Sequence, residues 1–131
     1  MNQFLKIVGA GMAAILVFDI AASFASKGLG FPYSYASFGS MLIYASVGYF
    51  SFLHFRLSSA IGAAVLVGLV DATLGWFISW QIGPGALPAE QASTIVIVTT
   101  IVFVIIFAAV CTVIGSAVAR ILHGSRIETN A

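Results

Sequence analysis

The chain has 131 residues, of which 61% are hydrophobic and 7% charged, with a net charge of +1 and a mean hydropathy of +1.13. A soluble domain carries about 25% charged residues, so a water-dissolved globule of this length would lack the polar surface to cover its core. The near-neutral charge, with no basic run, excludes nucleic acid as a partner, and the length allows one compact bundle.

The first apolar stretch, residues 7–26, lies between Lys6 and Lys27. At 1.5 Å per residue its 20 residues match the roughly 30 Å hydrocarbon core of a bilayer. Asp19 stands inside it, and Ser23 and Ser26 follow at i+4 and i+7 on the same helix face. Residues 1–25 also have the outline of a secretory signal, with Ser23-Phe24-Ala25 as a small-x-small cleavage site. A thin basic n-region and an acid in the apolar run argue instead for an uncleaved first span. The run from Lys27 to Pro32 holds Gly28 and Gly30 and breaks the helix.

The second stretch, residues 36–55, carries Ser37, Ser40, Tyr44, Gly48 and Ser51 at steps of three and four, one small and polar face. His54 and Arg56 mark its interfacial end. The link to the third stretch, residues 58–80, is so short that the two helices must be antiparallel neighbours. Asp71 lies in the third stretch. Ala64, Gly68 and Gly75 share its face and would let another helix approach closely. Gly83, Pro84, Gly85 and Pro88 end it. The fourth stretch, residues 92–119, is the longest, and is expected to tilt or project past the headgroups. It carries Ala108, Thr112, Gly115 and Ala119 at similar steps. Its Cys111 is the single cysteine, so no internal disulfide exists and a packing role is expected. The tail from His123 to Ala131 is polar and expected to fray.

Continuous rather than alternating apolar runs mean helices, not barrel strands. The expected fold class is therefore an all-α integral membrane protein, a four-transmembrane-helix bundle forming one domain over residues 1–131. A finer reading divides it into two parallel-repeated helical hairpins. Asp19 and Asp71 each open an Asp-x-x-x-small-aromatic segment, and Ala36-Ser37 and Ala92-Ser93 open the helices that follow. Lys6, Arg56, Arg120 and Arg126 fall on one face and Lys27 alone on the other, which places both termini in the cytoplasm. Phe24, Tyr33, Tyr35, Trp76 and Trp80 gather towards the opposite face as an aromatic belt.

The two acids are the informative feature. A carboxylate at the centre of a spanning helix costs about 2.5–3.5 kcal/mol, and this chain carries two at nearly one depth. No Lys or Arg lies within any apolar stretch to pair with them. They are protonated, share a proton, bind a cation, or meet a basic residue of another chain.

The expected function is a small transporter or channel subunit. Asp19 and Asp71 would bind a proton or cation, with Ser23 and Tyr44 as supporting polar groups. Four helices are few for a complete transport machine, so a homo-oligomer in the lipid bilayer is expected. The alternative is a non-catalytic subunit whose aspartates pair with basic residues in a partner's transmembrane helix. No catalytic residue, metal site or cofactor is expected: His-Glu-x-x-His, Gly-x-Ser-x-Gly and a cysteine pair are all absent, and neither Asp follows a glycine. No family resemblance is carried by these residues.

Overall fold

The computed structural model describes residues 2–128, with side chains through Gly124. Helix α1 spans Gln3–Leu29. Asn2 caps it, its Oδ1 accepting the Phe4 N–H at 3.1 Å. Gly30 ends it in the left-handed region at φ 74°, and its N–H closes on the Ser26 carbonyl at 2.9 Å. After Pro32 a 3-10 turn, Tyr33–Tyr35, leads into α2, Ala36–His54. Phe55 and Arg56, both extended, connect to α3, Leu57–Val70. A π turn over Asp71–Gly75 joins α3 to α4, Trp76–Ile82, in one continuous helix. Ser93 then caps α5, Thr94–Glu128, its Oγ accepting the Val96 N–H at 3.3 Å.

Among the described residues four helices are long and apolar enough to span a membrane. Each covers most of the stretch expected from the sequence; the ends differ, and the fourth helix lies further along the chain than expected. The fourth begins at Thr94 rather than residue 92, because Ser93 serves as its cap. The expected frayed tail is helical to Glu128, with non-helical backbone at His123 (φ −129°, ψ 17°). The rest of that tail, and the Arg126 side chain, lie outside the described residues. The third span is not a uniform α-helix, because the π turn interrupts it at the acid.

Edge-to-face ring pairs define one face of the bundle. Phe4 meets Phe55 and Tyr49 meets His123, each with centroids 5.9 Å apart. This terminal face therefore holds the start of α1, the α2–α3 link and the His123 end of α5. The opposite, loop face is tied by Lys27, whose Nζ donates to the Ile82 carbonyl at 3.0 Å. That bond occupies an orphan carbonyl at the C-terminus of α4.

Helices α2 and α3 form the centre. Helix α1 packs on α2, α3 and α4, whereas α5 packs on α2 and α3. The closest approach is between α2 and α5. A Cβ on Gly48 would collide with the Thr112 backbone, and one on Gly115 with the Ala45 backbone. At that distance Thr112 Oγ1 reaches the Tyr44 carbonyl at 3.1 Å, and Ser116 Oγ the Gly48 carbonyl at 3.3 Å. The small stripes expected on α2 and α5 are thus a helix–helix seam. Val8, Ile15, Val47, Ala63, Val67, Ala108 and Cys111 cluster around Tyr44 as the core. Cys111 packs there, 2% exposed.

Candidate functional site

Asp19 and Asp71 come together. Asp19 sits three residues past the midpoint of Gln3–Leu29, and Asp71 lies within two residues of the midpoint of Leu57–Ile82. Both offsets run towards the loop face and amount to about 2–5 Å at 1.5 Å per residue, so the carboxyls share a level.

The π turn shapes their meeting. Within it the Trp76 N–H bonds back five residues to the Asp71 carbonyl, so the ladder slips by one residue and α4 leaves in a new phase. Gly75 then faces α1. A Cβ there would collide with Asp19 Oδ2 and come within 3.0 Å of Asp71 Oδ1. Glycine at this position lets both carboxyls press against one backbone. They lie within hydrogen-bonding reach of each other. Asp19 is 2% exposed, and no N–H or O–H of the described protein reaches its Oδ2. A hydrogen bond between two carboxyls needs a proton on one of them.

Tyr44 completes the group. Its hydroxyl donates to Asp71 Oδ2. Its ring is fully buried and packs edge-to-face on Phe107 at 6.2 Å. The supporting role expected of Tyr44 is therefore a direct hydrogen bond to the acid. Ser23, the other supporting residue, makes no bond to Asp19. It lies one turn towards the loop face, fully buried, with its hydroxyl unpartnered. Ser26 bonds the Phe31 carbonyl at 2.7 Å and serves the helix end instead.

Above the acids lies a cavity of about 360 Å³. Asp19, Asp71 and Tyr44 form its floor, and Tyr33, Ser37, Ser40, Trp76, Thr100 and Phe103 stand among its walls. It forms because α4 packs on α1 and makes no contact with α5, while α2 and α5 are closest nearer the terminal face. Below the floor, Val8, Ile15, Val47 and Val67 are each no more than 5% exposed. The acids thus face a space on the loop side and a packed apolar plug on the terminal side.

Tyr33 and Trp76 depart from the expected aromatic belt. Both are half-buried and line the cavity, and Trp76 Nε1 donates to the Gly85 carbonyl at 3.0 Å. Phe24 and Tyr35 stay exposed, as a belt requires. Sequence reasoning missed Tyr33, Ser79 and Thr100. Ser79 carried a signal, standing eight residues after Asp71 and four after Gly75. Tyr33 carried none, because a 3-10 turn outside the helical repeat places it. Among the described residues no group of three or more His, Cys, Asp or Glu could hold a metal ion.

Tyr44→Phe is expected to leave Asp71 Oδ2 without its donor and to destabilise the bundle by about 1–3 kcal/mol. Unfolding of the purified variant in mild detergent measures this. Stability equal to wild type would mean that the Tyr44 hydroxyl does not serve Asp71.

No protein family, curated protein or solved structure matches this chain.

Proposed function

We propose that the chain is a membrane-spanning transporter or channel subunit in which the Asp19–Asp71 pair binds a proton or a cation. The observation that carries this reading is the carboxyl pair itself: two acids in contact, without a basic partner, of which Asp19 Oδ2 has no donor in the described protein. A proton between them, or a cation beside them, satisfies both groups. A cavity on the loop side of the acids and an apolar plug on the other favour a transporter that opens to one side at a time over a continuous pore. The basic residues Lys6, Arg56 and Arg120 against Lys27 put both termini in the cytoplasm, so the cavity opens outward.

A partner's Lys or Arg is less well accommodated. Asp19 is turned against Gly75 and 2% exposed, so a basic side chain from outside would have to enter the cavity to reach the acids. Oligomerisation through the broad apolar face of α5 is part of the proposal, since that helix buries only one stripe. The hairpin repeat finds support in the shared level of the two acids. Its limit is that the π turn belongs to the second hairpin only.

The test is flux. Full-length protein in liposomes carrying a pH-sensitive dye is expected to move protons down an imposed gradient. Proton flux no greater than in empty liposomes, together with no flux of sodium or potassium ions above that background, would exclude the reading. Native mass spectrometry of the detergent-extracted protein is expected to show a homo-oligomer. A stoichiometric second protein with a basic residue in a span would support the assembly role instead.

A further inference from the structure

The seam between α1 and α4 is built in layers one helical turn apart. In the lowest, Asp19 on α1 lies against Gly75 on α4. In the highest, Lys27 on α1 bonds the Ile82 carbonyl of α4. Between them stand Ser23 and Ser79, four residues beyond Asp19 and Gly75 respectively. Both serines are 0% exposed. A helical serine ordinarily gives its proton to the carbonyl four residues back, yet neither hydroxyl finds any partner in the described protein. The Tyr33 hydroxyl lies beside both. Tyr33 and Asp19 also line the cavity, which provides room at the edge of the layer. Leaving a buried hydroxyl unpaired costs about 1–3 kcal/mol, and this seam carries two side by side. Two serine hydroxyls, a phenol and a carboxyl supply the two to four polar partners that a buried water needs.

We propose that the Ser23–Ser79 layer holds an ordered water which, with Tyr33, relays protons between the loop face and Asp19. This rests on the reading that the carboxyl pair holds a proton. The relay balances at each step. Asp19 gives its proton to the water oxygen as the water passes one of its own to the Tyr33 oxygen. Tyr33 releases its original proton towards the loop face. Nothing is oxidised; the water and Tyr33 each gain and lose one proton and end neutral, and the negative charge stays on the Asp19–Asp71 pair until a proton returns by the same route. Lys27, one turn above, favours a neutral occupant, because its ammonium repels a metal cation placed between it and the acids. The other ionisable groups facing the seam are Asp71 and, behind it, Tyr44.

The test is infrared spectroscopy of the full-length protein in lipid nanodiscs during a change from H2O to D2O. Wild type is expected to show the C=O stretch of a protonated carboxyl, shifting as its proton exchanges. The double variant Ser23→Ala, Ser79→Ala should keep that band in place but exchange about tenfold more slowly or worse. Removing unpaired hydroxyls does not threaten folding. Tyr33→Phe, which leaves both serines intact, should slow exchange as well. Ser37→Ala and Thr100→Ala, on other walls of the cavity, should exchange at the wild-type rate. Wild-type exchange in the serine and Tyr33 variants would overturn the relay, as would slowing confined to the cavity-wall variants. A band lost on adding sodium chloride would reveal a cation occupant and overturn the water. A wild type without the band would overturn the proton-holding pair, and the relay with it.

Discussion

Asp71→Asn is expected to abolish proton-driven flux, and Asp19→Asn to do the same by a different route. Asparagine preserves the shape of either side chain, so the packing around Gly75 survives. At position 71 it can still accept the Tyr44 hydroxyl, but its amide faces Asp19 as a permanent donor. The proton proposed to bridge the two carboxyls would then be replaced by an N–H that cannot be passed on. At position 19 the amide serves Asp71 in the same way. Asp71 would then hold two fixed donors, the amide and the Tyr44 hydroxyl, and would stay ionised. Groups positioned to transfer protons typically contribute about 10²- to 10⁴-fold to a rate, so each variant should lose at least about 10²-fold in flux. Both should fold, and their unfolding curves serve as the control. Wild-type flux in both variants would remove the acids from the mechanism.

The second large effect concerns α2 and α5. Gly48→Ala and Gly115→Ala are each expected to destabilise the bundle by about 2–4 kcal/mol, combining overpacking with lost hydrogen bonds. The obstacle in each case is backbone: Thr112 opposite Gly48, and Ala45 opposite Gly115. Backbone cannot rotate away as a side chain can, so the helices must separate. Separation lengthens the bonds from Thr112 to the Tyr44 carbonyl and from Ser116 to the Gly48 carbonyl. Tyr44 then loses its fixed position under Asp71, so flux should fall together with stability. Gly9→Ala and Gly62→Ala are the matched controls, because a Cβ at either meets nothing within 4 Å. In a helix each should be neutral, or stabilising by up to about 1 kcal/mol. Unfolding of the four variants in a graded detergent series orders them. Controls as damaging as the seam variants would refute the close-contact account.

These effects differ in how far they were legible from the residues alone. Composition and periodicity were enough for the class: four apolar helices, their short links, and two acids at one depth without a basic partner. Those properties follow from composition and from the 1.5 Å rise of a helix, which converts position in the chain directly into level. Periodicity also marked the packing faces, because residues three and four apart share a side whatever the helix packs against. Ser40, Tyr44, Gly48 and Ser51 on α2, and Ala108, Thr112, Gly115 and Ala119 on α5, are buried as their spacing implied, whereas Ser37, on the same stripe of α2, is exposed.

What each face meets emerges only when the helices pack. Helical periodicity states which residues lie together on one helix, but leaves the rotation and register between helices open. Here those are set by backbone contacts at Gly48 and Gly115, and by a π turn whose slip of one residue turns Gly75 towards Asp19. An apolar run carries no mark of such a slip, so a regular helix was expected where the carboxyls meet. Ser79, four residues beyond Gly75, follows from that same rotation, whereas Tyr33 is drawn to the cavity by the 3-10 turn before α2. The acids were visible in the chain; their meeting against Gly75, with Tyr44 and with the cavity exists only once the helices are packed.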